Sequence, residues 1–146
     1  MKIGESIPSF SLLNQDGLPV NSTDLIGDPL VIFFYPKDDT PVCTTEACTF
    51  RDHFEDFREL NIKVIGISAD SPNSHARFRA KHRLNFDLLS DENKAVEKLF
   101  GLRRSLFGLL AQRVTFIFDS QGMLTHQIGS RFQAKKHVHE ALKALR

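Results

Sequence analysis

The run Val31-Ile-Phe-Phe-Tyr35 constrains the fold more than any other stretch of the chain. Five consecutive β-branched or aromatic residues leave no polar face, so a strand made of them must be covered on both sides. Pro36 ends that strand, and Pro41 keeps the connecting loop extended up to it. Thr44 or Thr45 is then placed to cap a helix that runs on through Arg51, Phe54, Phe57 and Leu60, whose apolar members recur at helical spacing. Cys43 falls where the buried strand hands over to the helix N-terminus. Unpaired N–H groups and the positive end of the helix dipole favour an anion there, hence a thiolate over a thiol.

Cys48 follows five residues later. On a helix, five steps separate two Cα atoms by roughly 8–9 Å and turn them by about 140°. A disulfide spans at most about 7 Å between Cα atoms. A bridge between these thiols therefore requires the start of the helix to unwind, which makes oxidation a conformational event. A pair meant only to staple the fold would not be spaced this way.

The 146 residues suit a single domain, 1–146, with room for a sizeable core, and 41% hydrophobic with 25% charged residues is ordinary for a soluble protein. Lys plus Arg number 19 against 18 Asp plus Glu, and a net charge of +1 argues against nucleic acid or an anionic membrane as partner. No window approaches a membrane-spanning length, and Met1-Lys-Ile-Gly-Glu-Ser6 lacks the apolar core of a signal peptide. A cytoplasmic location is the expectation. Thiols are kept reduced there, so two close cysteines point to redox or metal chemistry rather than to a structural bridge.

The rest of the chain alternates strands with helices. Gly4 to Val20, with Asp16-Gly17 inside it, reads as a hairpin, and Ser22-Thr-Asp24 before Gly27 as one helical turn. Lys63–Ser68 is a second apolar strand. Ser71-Pro72 starts a helix that runs to about Arg83, and Phe86–Leu89 is a short strand. Asp91 caps a helix ending at Phe100 before Gly101. Arg113–Phe118 is a third apolar strand, paired through Ser120-Gln-Gly122 with Met123–Ile128. Ala134–Leu145 carries Val138, Ala141, Leu142 and Leu145 on one face of a last helix. The pattern predicts an α/β fold, a mixed central sheet flanked by helices.

Pro36-Lys-Asp-Asp-Thr40-Pro-Val-Cys43 fits the Pro-x-x-x-Thr-x-x-Cys pattern of the peroxiredoxins. The continuation Thr44-Thr-Glu46-Ala-Cys48 resembles their bacterioferritin-comigratory, or peroxiredoxin Q, branch, and the similarity extends from Gly4-Glu-Ser-Ile-Pro-Ser-Phe10 to the last helix. The resemblance implies a thioredoxin-like fold with an N-terminal β-hairpin extension. It also implies a thiol-dependent peroxidase that reduces hydrogen peroxide and organic hydroperoxides without cofactor or metal. Cys43 would be the nucleophile, attacking the peroxide as a thiolate and becoming a sulfenic acid. Cys48 is the one other thiol in the chain and would resolve that acid as a Cys43–Cys48 disulfide, reopened by thioredoxin or a similar dithiol. Thr40 would bring its hydroxyl near the sulfur, and Pro36 would shield it. Arg113 matches the family's strand arginine, whose fork can donate to both sulfur and peroxide. Glu46, one turn after Cys43, would anchor the loop or an arginine.

Taken singly, these residues have plainer readings. A cytosolic cysteine is commonly a small buried hydrophobe, Thr40 a turn residue and Arg113 a surface ion-pair residue. His53 with the two cysteines lacks the spacing of a tetrahedral metal site, and His137 and His139 read as solvated. Arg103-Arg104 reads as an exposed charge pair. Leu106-Phe-Gly-Leu-Leu110 reads as a loop tucked onto the core, or else as an apolar wall beside the site. Val42 departs from the glycine common before the nucleophile in this branch, and the segment from Gly101 to Arg113 is idiosyncratic. The lack of a C-terminal cysteine favours a monomer, with at most a weak dimer. Two other functions compete: a disulfide oxidoreductase, which would want Cys-x-x-Cys, and a zinc or partner-binding module on the same scaffold, which metal analysis would expose.

Overall fold

In the computed structural model, residues 1–102, 113–129 and 134–145 are described. Ser11–Leu13 (β1) and Pro19–Asn21 (β2) pair antiparallel around a turn in which Gly17 takes φ 74°, a backbone setting that favours glycine. A 3₁₀ turn, Ser22–Leu25, leads to the buried strand Leu30–Phe34 (β3). Pro41–Asp52 (α1) follows, then a short helix, Phe54–Glu59 (α2), and the strand Lys63–Ser68 (β4).

Pro72–His82 (α3) begins as the Ser71-Pro72 pair predicts, with Ser71 Oγ accepting from the Ser74 amide at 3.1 Å. After Asp87–Ser90 (β5), the Asp91 carboxylate accepts from the amides of Val96 and Glu97 and holds the start of Ala95–Leu99 (α4). Val114–Phe118 (β6), Leu124–Gly129 (β7) and Ala134–Leu145 (α5) complete the chain. The segment Leu106–Leu110 and the pair Arg103-Arg104 lie outside the described residues.

The strands form one mixed sheet in the order β2-β1-β5-β4-β3-β6-β7. β3, β4 and β5 run parallel, and the two outer pairs are antiparallel. Alternation along β3 divides the core in two. Val31 and Phe33, with Tyr35 beyond the strand, face Phe50, Phe57, Phe78, Val138 and Ala141, under α1, α2, α3 and α5. Leu30, Ile32 and Phe34 face Phe10, Leu25, Val96 and Phe100 on the other side. A strand buried on both faces has to be apolar at every position, which is why Val31–Tyr35 stands out in the sequence.

Two expectations need correction. The cysteine helix starts four to five residues earlier than a Thr44 or Thr45 cap would put it: Thr40 is the extended N-cap residue and Pro41 the first helical one. Pro41 is pre-set for that position, because its missing N–H is one that a first turn leaves unpaired anyway. The helix also does not continue to Leu60. It ends at Asp52, and His53 (φ −96°, ψ 10°) breaks it before α2.

Candidate active site

Thr40 occupies the N-cap without capping. Its hydroxyl donates to the Lys37 carbonyl at 2.9 Å, and no side chain caps the first turn of α1. Cys43 therefore sits in a first turn whose leading amides have no helical acceptor. Cys43 belongs to the apolar cluster that includes Tyr35, Ala47 and Phe50, and it is 2% exposed.

Arg113, immediately before β6, reaches across the sheet to that helix. Its Nη2 donates to Cys43 Sγ at 3.1 Å and its Nη1 to Glu46 Oε1 at 2.7 Å. One planar guanidinium thus links the sulfur to the carboxylate one turn further on. Burial pushes the Glu46 carboxyl up to about 7, against the pull of Arg113. Arg113 is itself nearly enclosed; burial opposes its charge, but Glu46 and Cys43 outweigh that and hold its pKa above the ordinary value.

Cys48 lies on the same unbroken helix, half-buried, and both cysteines are free thiols. The spacing argument applies directly: five helical steps keep the pair roughly 8–9 Å apart at Cα. Burial pushes the Cys48 thiol up, more than nearby Arg51 lowers it.

The loop before α1 is tied down by residues that the motif does not single out. Asp38, buried, accepts from Tyr35 Oη at 2.6 Å and from Ser74 Oγ at 2.9 Å, and its carboxylate stands 2.7 Å from His75 Nδ1. His75 Nε2 faces the Leu89 carbonyl at 3.0 Å, and the Asp38 amide donates to Asp70 at 2.8 Å. This network joins the cysteine loop to α3 and to the ends of β4 and β5. Asp38, Asp70 and His75 bring ligand-type atoms together, yet the carboxylate and imidazole are occupied with one another and with neighbouring donors.

The geometry thus joins Cys43, Glu46 and Arg113 directly. Thr40 stands three residues from the sulfur but is not hydrogen-bonded to it among the described residues, and half-buried Pro36 ends the strand above them. His139 is exposed, but the reading of His137 as solvated is wrong: it is fully buried, with Nδ1 2.7 Å from Thr115 Oγ1 and 3.7 Å from Glu46 Oε2. The signal was there. His137 shares the apolar face of α5 with Val138, Ala141 and Leu142.

The model of the AhpC/TSA family matches residues 3–127. The chain belongs to that family, the peroxiredoxins. Within it, the chain is 44% identical to chloroplastic peroxiredoxin Q of Populus jackii over 97% of its own length and 67% of the relative's. The corresponding protein of Sedum lineare is also 44% identical, over 97% of this chain and 76% of that one. Among solved structures, peroxidoxin BcpB of Mycobacterium tuberculosis superposes with a TM-score of 0.93 at 39% identity, covering 100% of this chain and 97% of that one. The bacterioferritin comigratory protein of Xanthomonas campestris, studied for alkyl peroxide reduction in trapped intermediate and ligand complexes, gives 0.83 at 32% identity, over 92% and 90%. The fold is thus the thioredoxin-like fold of the peroxiredoxins, and this peroxiredoxin is a thiol peroxidase of the peroxiredoxin Q type. Among the described residues, no helix is long and apolar enough to cross a membrane.

Proposed function

We propose that Cys43 is the peroxidatic cysteine and Cys48 the resolving one, in an enzyme that reduces hydrogen peroxide and organic hydroperoxides. The observation that carries this reading is the Arg113 fork, which donates to Cys43 Sγ and to Glu46 at once. A thiolate there attacks the distal peroxide oxygen. The O–O bond breaks, the sulfur becomes a sulfenic acid, and the departing alkoxide takes a proton to leave as alcohol or water. Arg113 and the open amides of the first turn of α1 are the donors available to the developing charge. Thr40, whose own proton is committed to Lys37, supplies an acceptor lone pair for the hydroperoxide O–H. Pro36 limits access of water to the sulfur.

The Cys48 sulfur then attacks the sulfenic acid, a disulfide forms and water leaves. This step needs the start of α1 to unwind. A dithiol of the thioredoxin type returns both cysteines to thiols by exchange. Alkyl peroxide reduction by the Xanthomonas protein supports organic hydroperoxides as substrates. A cytoplasmic location, where thiols are kept reduced, suits two closely spaced cysteines.

Stopped-flow peroxide consumption with mass spectrometry of the oxidised chain tests this. Cys43→Ser should abolish consumption. Cys48→Ser should keep one turnover per chain and lose thioredoxin-driven cycling. Retained activity in the first, or full cycling in the second, would overturn the assignment of that residue.

A further inference from the structure

The Glu46 carboxylate is satisfied on one side only. Oε1 accepts from Arg113, whereas Oε2 is buried and has no hydrogen-bond partner among the described residues. Leaving a buried carboxylate oxygen unpaired is costly. His137 faces it, with Nδ1 at 3.7 Å. The same nitrogen lies 2.7 Å from Thr115 Oγ1, a hydroxyl that can donate to bare Nδ1 or accept from protonated Nδ1. A proton on Nδ1 is within about 1 Å of a hydrogen bond to Oε2. The charge count gives this contact its significance. Among the described residues, one guanidinium touches two potential anions, the Cys43 thiolate and the Glu46 carboxylate, and like charges sharing one buried cation oppose each other's ionisation.

We infer that Glu46 and His137 share a proton that decides how the single charge of Arg113 is divided between the Glu46 carboxylate and the Cys43 thiolate. While the pair holds that proton, the Glu46 carboxyl does not compete with the thiolate for the charge of Arg113. When the pair loses it, the carboxylate competes. Oxidation of Cys43 to an uncharged sulfenic acid removes the thiolate, and the pair then gives up its proton, which in net balance is the one that the departing alkoxide takes up. His137 is in this sense a positioning residue, acting on the sulfur only through Glu46 and Arg113. Among the described residues, the charged and titratable groups around the carboxylate are Arg113 ahead of β6, His137 on α5 and, through Arg113, Cys43 on its own helix. The Glu46 carboxyl, at about 7, titrates where histidines ordinarily do.

This inference rests on Cys43 being the reacting thiol, so the test reads its ionisation without turnover. The rate of Cys43 alkylation by iodoacetamide is followed against pH by mass spectrometry in the full chain. Failure of the wild type to consume hydroperoxide would sink the proposed function, and the alkylation profile would still report on the pair. Glu46→Gln should move the Cys43 midpoint to lower pH, since the competing carboxylate is gone. His137→Gln should move it the other way by about one pH unit, about tenfold in thiolate, because the shared proton has one site fewer. In the double variant the His137 change should add nothing. No shift in His137→Gln, or the same shift with Gln at position 46, would overturn the inference. If His137→Gln fails to fold, the wild-type His137 ring resonance serves instead. Its pH midpoint should change when Cys43 is alkylated, and an unchanged midpoint would equally overturn it.

Discussion

Glu46 and Cys43, two buried acids, share the buried guanidinium of Arg113, and the pH behaviour of the protein follows from that. The Glu46 carboxyl sits at about 7, above its ordinary 4.5, because burial disfavours the carboxylate. Between those values the folded chain keeps a proton that the unfolded chain has released. The resulting stabilisation is present below about pH 4.5 and is lost as pH rises through about 7. Denaturant titrations should show the wild type losing at most about 3 kcal/mol across that window relative to Glu46→Gln. Parallel profiles would mean that the carboxyl titrates normally. Arg113 serves sulfur and carboxylate with different nitrogens, which a lysine cannot do. Arg113→Lys should therefore slow the peroxide step on the order of 10²-fold. A change within twofold in single-turnover rate would remove the fork from the mechanism.

At the level of elements, the chemistry depends on how firmly α1 is held at its first turns. Asp38 and His75 clamp the preceding loop, Phe50 stacks on Phe33 with ring centroids 4.6 Å apart, and Arg113 holds Cys43 and Glu46. Within the helix, Thr45 Oγ1 bonds back to the Pro41 carbonyl at 3.0 Å, and Thr49 Oγ1 to Thr45 at 2.6 Å. Such back-bonds and the poor helix propensity of threonine weaken a helix slightly, which suits the proposed opening of α1 that would bring Cys48 to Cys43. Thr45→Ala should firm up that turn by about 0.5 kcal/mol and slow disulfide formation roughly twofold, with the first oxidation step unchanged. Equal or faster disulfide formation would show that opening of this turn does not limit resolution.

Across the whole molecule, the sheet fixes where these groups meet. The parallel strands β3 and β4 bring Tyr35 and Ser68 to one edge, and antiparallel β6 begins beside Phe34, so Arg113 arrives at the same end as the cysteine loop. Gly66 keeps this register possible. A Cβ there would stand 2.8 Å from Phe33 Cζ and 3.0 Å from Leu88 Cδ2, and Phe33 is already wedged against Phe50 and Phe86. Gly66→Ala should cost about 1–3 kcal/mol in denaturant midpoint and slow peroxide reduction by shifting α1 through Phe50. An unchanged midpoint would show that the ring yields freely.

The sequence by itself determined the parts that depend on local order. Apolar runs marked the buried strands, and Ser71-Pro72 and Asp91 marked helix starts, because neighbours along a chain share a strand or a helix face; the Pro36 to Cys48 motif singled out Cys43 and Cys48 as candidates, and the family's strand arginine pointed to Arg113. The exact start of α1 escaped, since a threonine marks a helix start as a side-chain cap, whereas the helix begins at Pro41 with no side-chain cap from Thr40. The tertiary structure alone decided what comes from distant segments. It brought Arg113 within 3.1 Å of Cys43 and drew the Asp38–His75 clamp between loop and helix. It also buried His137 against Glu46, 91 positions away in the chain. The physical reason is that a histidine or aspartate is equally at home in water or in a satisfied buried network, and only the packing of other elements selects between the two.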